Sequence, residues 1–91
     1  MTAIHLRIEG KVQGVGFRWF VCERAEELGV SGWVKNMPSG DVEVAASGDP
    51  ARLAQFETAI ERGPLGARVT AVHHLPAASG TSYPSPFRIE R

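Results

Sequence analysis

One cysteine, Cys22, stands in a chain of 91 residues, so no disulfide can close within it. Net charge is also missing: ten Lys and Arg face ten Asp and Glu, with no long run of either sign. A protein that grips nucleic acid in general needs clustered cations, which are not here. No apolar run approaches a membrane span, and MTAIHLRIEGK at the start carries no apolar core of signal length. The expectation is a soluble, cytoplasmic protein, a monomer by default, without nucleic-acid or membrane partners. There is no internal repeat and no linker. The length suits one domain, 1–91, and a domain of this size buries roughly 60–65% of its unfolded surface.

What is present is strongly patterned. Ile4, Leu6 and Ile8 alternate with His5, Arg7 and Glu9, which predicts a half-buried strand ended by the glycines that follow. From Phe17 to Leu28 the period changes. Phe17, Val21, Ala25 and Leu28 recur at helical spacing opposite four charged residues, and Gly29 is a natural stop. VSGWVKNM (30–37) and DVEVAAS (41–47) read as strands joined by a PSG turn. Asp49 and Pro50 form a helix start, Leu53, Phe56 and Ile60 share one face, and Gly63-Pro64 closes it. ARVTAVHHL (67–75) reads as a strand whose imperfect alternation suggests a bulge. PAASGTSYPSP (76–86) reads as a loop, and FRIE (87–90) as a last short strand. The order is βαββαβ with a short extra C-terminal strand. It implies an α/β (α+β) two-layer sandwich of the ferredoxin-like kind: two helices on one face of an antiparallel sheet, the other face open to solvent.

The stretch GKVQGVGFR (10–18) is too polar and glycine-rich for the interior of either neighbouring element. Gly14 and Gly16 can take positive φ at no steric cost, and alternating them with ordinary residues turns successive N–H groups toward one point. The helix beginning near Phe17 adds unpaired N–H groups and the positive end of its dipole. Arg18 adds a guanidinium fork that matches phosphate oxygens. A cation in a first helical turn is mildly unfavourable, and an anion there relieves the conflict. The same glycines also suit a plain tight turn. The nucleotide P-loop string GxxxxGK[ST] does not occur, and the dinucleotide pattern GxGxxG fails at Trp19. The stretch is sized for one phosphate.

Asn36 comes late in the strand after the first helix. Strands joined by a βαβ crossover run parallel, so Asn36 and the glycine loop approach the same edge of the sheet, the end favoured by ligands. A carboxamide there can accept a hydrogen bond from water and donate one to a phosphoryl oxygen. The alternative role, a turn former in the hairpin, stays open.

Other chemistry-bearing residues fit bland roles. Cys22 lies mid-helix, where a buried or half-buried thiol is usual. His73 and His74 are adjacent on a strand and point to opposite faces, while His5 sits on another strand, so no metal site is expected. Trp19, Phe20 and Trp33 could suggest base stacking, since RNA-binding modules share this topology, but GFRWFV starts a helix here rather than occupying a central strand.

Two strings together, GKVQGVGFR (10–18) and GWVKNMPSGDVEVAASG (32–48), resemble the two signatures of the acylphosphatases, in order and in element context. The resemblance covers nearly the whole chain. It implies metal- and cofactor-free hydrolysis of an acyl phosphate to a carboxylate and inorganic phosphate, the latter also a competitive inhibitor. Arg18 would bind the phosphate, and backbone N–H groups across Gln13, Gly14, Val15, Gly16, Phe17 and Arg18 would complete the cradle. Asn36 would orient the attacking water. Ser39 departs from the Asp that many members carry there, with an effect expected on turn geometry. The motifs say little about the acyl group: carbamoyl phosphate and 1,3-bisphosphoglycerate both fit. The rival reading is a phosphate-binding or regulatory module on the same fold, without turnover.

Overall fold

The computed structural model describes residues 2–77 and 82–91. Its elements are β1 (Thr2–Lys11), α1 (Phe17–Leu28), β2 (Ser31–Asn36), β3 (Val42–Gly48), α2 (Pro50–Arg62), β4 (Arg68–Leu75) and β5 (Arg88–Ile89). Both helices have the predicted limits, because their ends are chemically marked. Gly29 closes α1 in the left-handed conformation, where the N–H groups of Gly29 and Val30 reach back to Glu26 and Ala25 carbonyls. The Asp49 carboxylate accepts from the N–H groups of Ala51 and Arg52 at the start of α2.

The strands form one sheet in the order β4-β1-β3-β2-β5. β1 lies between β3 and β4 and is antiparallel to both; β2 is antiparallel to β3. β1 and β2 therefore point the same way, and their carboxyl ends share one edge. The expected antiparallel arrangement holds for these four strands. β5 then adds parallel to β2, with Trp33 opposite Arg88 and Val34 opposite Ile89, so the complete sheet is mixed. Both sides of β1 and β3 are taken, which leaves β2 as the edge within reach once Phe87 has packed against Phe56 in the core, ring centroids 5.8 Å apart. The predicted loop 76–86 falls partly on residues 78–81, outside the described residues.

The core lies between sheet and helices. Leu6, Ile8, Val34, Val42 and Val44 from the strands meet Phe17, Val21 and Ala25 of α1 and Leu53, Phe56 and Ile60 of α2. All are essentially inaccessible to water, and burying each of them larger than Ala25 stabilises by about 1.5–3 kcal/mol.

The glycine stretch ends β1 as expected, one residue past its first glycine. The strand continues to Lys11, because Gly10 sits at the predicted bulge. Glu9 faces Ala71 and Gly10 faces Val69, leaving Thr70 as the extra residue of β4. The backbones approach so closely that a Cβ on Gly10 (φ 131°) would lie 1.9 Å from the Arg68 carbonyl oxygen. Gly10→Ala is expected to destabilise by roughly 3 kcal/mol, the sum of a strained φ and a forced backbone shift. Urea denaturation of the variant measures it.

The open face of the sheet carries an ion network. Arg7 Nη1 donates to Glu9 Oε1 (2.8 Å) and to Asp41 Oδ2 (2.7 Å). His73 Nε2 lies 3.1 Å from Glu9 Oε2, an ion-pair distance without good hydrogen-bond alignment. His5 meets Glu43 at 2.5 Å and stands edge-on to Trp33. His73 and then Arg7 hold the Glu9 carboxyl below its ordinary range, and Arg7 alone suffices for the direction. A carboxylate with a depressed folded pKa adds stability above its unfolded pKa, about 4.3, and loses that stability as pH falls through the folded value. The wild type should therefore weaken on going from pH 5 to pH 3, and Glu9→Gln should flatten part of that slope in denaturant titrations at the two pH values.

Candidate active site

β1 reaches the sheet edge at Lys11, and residues 12–16 turn the chain into α1. Alternation decides what faces outward. Val12 and Phe17 are buried and Val15 packs against the core, so these side chains anchor the turn from below. Gly14 (φ 76°) and Gly16 (φ 75°, ψ 19°) are both left-handed. A Cβ at either position would meet nothing within 4 Å. Conformation rather than crowding is what demands glycine here.

Gly16 caps α1 without any side-chain hydrogen bond, and the first turn contains no acidic residue. The first intrahelical bond runs from the Phe20 N–H to the Gly16 carbonyl at 3.0 Å. Earlier N–H groups of the turn have no intrahelical acceptor and open onto the loop. Arg18 is half-buried in this first turn and belongs to none of the ion pairs among the described residues. A positive helix end, a left-handed loop and an uncompensated guanidinium share one place, an environment suited to an anion.

Asn36 is the last residue of β2, on the same face as buried Val34. Its Oδ1 is buried and has no hydrogen-bond partner among the described residues. An unpaired buried acceptor costs about 1–3 kcal/mol, which makes it a place where a donor is wanted. Gly14, Gly16, Arg18, Trp19, Asn36 and Ile89 line one cavity of about 170 Å³. The predicted pair, Arg18 and Asn36, thus meets at the predicted edge. Among the described residues no carboxylate lines the cavity. A wider depression of about 270 Å³ between α2 and β4 is lined by Glu57, Glu61 and His74 without any arginine or lysine, and offers nothing to a phosphate.

Gln13 ties the glycine loop down in a way its backbone position does not suggest. Its side-chain Nε2 donates to the carbonyls of Met37 (2.9 Å) and Asp41 (2.8 Å). The carboxamide bridges the loop to the hairpin turn after Asn36. That turn is closed by Met37 N–H to the Asp41 carbonyl (2.8 Å) and Gly40 N–H to the Met37 carbonyl (3.1 Å). Ser39 acts locally, its Oγ accepting from the Asp41 N–H at 3.4 Å. Arg7 holds the Asp41 carboxylate.

The residues given bland roles occupy separate places. Cys22 Sγ donates to the Phe87 carbonyl at 3.3 Å, and burial, then Glu26, raises its pKa, which disfavours the nucleophilic thiolate. His5, His73 and His74 each meet a different glutamate: Glu43, Glu9 and Glu57. Trp33 lies on the open face with Lys35 Nζ 5.4 Å from its ring, Phe20 packs beside Phe17, and Trp19 is exposed at the cavity, so the three aromatics form no common platform. The sequence reading missed Trp19 and Ile89 as cavity walls. A signal for Trp19 existed in its place one residue after Arg18; for Ile89 there was none, because only the pairing of β5 brings it there.

A family model described as acylphosphatase matches residues 4–89. An acylphosphatase of Synechococcus sp. (strain WH7803) is 57% identical over 65 residues, which is 71% of this chain and 65% of that protein, a little under two thirds of its length. One from Thermococcus kodakarensis is 53% identical over 68 residues, 75% of each chain. The crystal structure of an acylphosphatase from Bacillus subtilis superposes with a TM-score of 0.84 and 34% identity over 100% of both chains.

Proposed function

The chain belongs to the acylphosphatase family, and from that premise we propose that it hydrolyses the carboxyl–phosphate bond of acyl phosphates, with Arg18 and the 13–18 loop holding the phosphoryl group and Asn36 holding the water. The observation that carries this reading is the buried, unpartnered Oδ1 of Asn36 in the same cavity as Arg18 and the two left-handed glycines. Residues 1–91 act as one catalytic domain in this reading.

The Arg18 fork takes two phosphoryl oxygens, and N–H groups of Gln13 to Arg18 take the charge that the fork leaves uncovered. Asn36 Oδ1 accepts a hydrogen from water and aims the oxygen lone pair at phosphorus, opposite the acyl oxygen. A bond forms from the water oxygen to phosphorus, and the bond from phosphorus to the acyl oxygen breaks. Its electron pair leaves with the carboxylate. The water proton passes to a phosphoryl oxygen, since no carboxylate or imidazole lines the cavity among the described residues. The departing carboxylate is a weak base and needs no protonation, so positioning and electrostatics carry the reaction. Arginine and backbone donors supply positive charge at the phosphoryl oxygens, and the scheme calls for no metal or cofactor.

The test is hydrolysis of benzoyl phosphate with and without EDTA. Turnover that survives chelation, with competitive inhibition by inorganic phosphate, is the expected result. A folded protein that binds phosphate without turnover would overturn it in favour of a recognition module.

A further inference from the structure

Large apolar side chains are seldom left in water unless something covers them. Among the described residues only Trp19 (65% exposed), Leu65 (103%) and Ile89 (37%) are large, apolar and exposed. Two of the three, Trp19 and Ile89, line the Arg18–Asn36 cavity. They reach it from opposite parts of the chain. Trp19 stands in the first turn of α1, one residue past Arg18. Ile89 pairs with Val34 on the outer side of β2, so it lies on the helix-facing side of the sheet with Asn36, two residues beyond Val34.

Polar groups in this cavity are few, and the phosphoryl site absorbs them: Arg18, the loop N–H groups and Asn36. Among the described residues no polar side chain besides Arg18, Trp19 and Asn36 lines it to meet a carbamoyl amide, and no second cation lines it that could meet a second phosphate. What remains beside the cradle is an indole and a branched aliphatic chain. Such walls suit an acyl group that is flat, apolar or both.

Resting on the hydrolase reading above, we infer that Trp19 and Ile89 form the acyl-group subsite and set a preference for aromatic and bulky apolar acyl phosphates over small or charged ones. Trp19 is a specificity residue here and takes no part in the phosphoryl chemistry. Its contact gains area when the acyl group is a ring and gains little when it is a methyl.

The experiment compares kcat/KM for benzoyl phosphate and acetyl phosphate in the wild type, Trp19→Ala, Trp19→Phe and Ile89→Ala, with the inhibition constant for inorganic phosphate measured in each. The wild type should favour the benzoyl substrate. The benzoyl-to-acetyl ratio should fall about tenfold in Trp19→Ala and about threefold in Ile89→Ala, the scale of losing part of an apolar pocket. Trp19→Phe should restore most of the ratio. A wild type indifferent to the acyl group, or variants in which both substrates fall in parallel, would overturn the inference while leaving hydrolysis standing. Should neither substrate turn over, the hydrolase reading itself fails. Calorimetry with benzoylphosphonate, whose carbon–phosphorus bond is inert, then decides the subsite: tighter binding than phosphate, erased by Trp19→Ala, supports it, and equal binding refutes it.

Discussion

Arg18→Ala is expected to cut kcat/KM for benzoyl phosphate by about 10²- to 10³-fold, the usual consequence of removing one preorganised donor from developing charge. Inhibition by inorganic phosphate should weaken as well, because the same fork holds product and substrate. The fold should survive. Arg18 makes no ion pair among the described residues, and it sits where the α1 dipole disfavours a cation. Its removal is therefore worth about 0.3–1 kcal/mol of added stability at low ionic strength. Arg18→Lys restores the charge without the planar fork and should recover only part of the lost rate. Steady-state kinetics beside thermal melting separates these effects. Full activity in Arg18→Ala would place the phosphate elsewhere.

Asn36→Ala should divide the kinetic constants differently. Water is positioned only for the chemical step, so kcat should fall about 10²-fold, while the inhibition constant for phosphate stays within about twofold. Stability should hold or rise by about 1 kcal/mol, because the variant removes a buried acceptor that has no partner among the described residues. Lost rate with retained or increased stability is the mark of a group kept for function at a cost in folding. A destabilised Asn36→Ala would instead assign the carboxamide to the hairpin turn, the alternative that the sequence left open.

Much of this was legible because it was local. α1 and α2 are framed by Gly29, Asp49, Pro50 and Gly63, whose backbone and capping preferences act within a few residues. Arg18 and Asn36 lie in two short strings, and the βαβ crossover rule brings their strand ends to one edge. The bulge in β4 also showed, as broken alternation. What escaped notice depends on partners distant in the chain. β1 runs through Gly10 because β4 approaches it, not because of any property of Gly10 alone. The parallel placement of β5 depends on which sheet edge remained open. Gln13 bonds across 24 and 28 positions to Met37 and Asp41, a reach that no window along the chain detects. Ile89 enters the cavity through that same placement of β5.

The open space around Gly16 has a consequence for its handedness. A side chain there is refused because an L residue resists φ 75° and ψ 19°, while no described residue beyond its near chain neighbours comes within 4 Å to collide with it. For an amino acid of the opposite chirality the same dihedral angles are comfortable. A chain made by chemical ligation with D-alanine at position 16 should fold into the same loop and lose less conformational freedom in doing so. Its L-alanine twin, identical in composition, should not. The site would then be seen to discriminate a mirror image, not a mass.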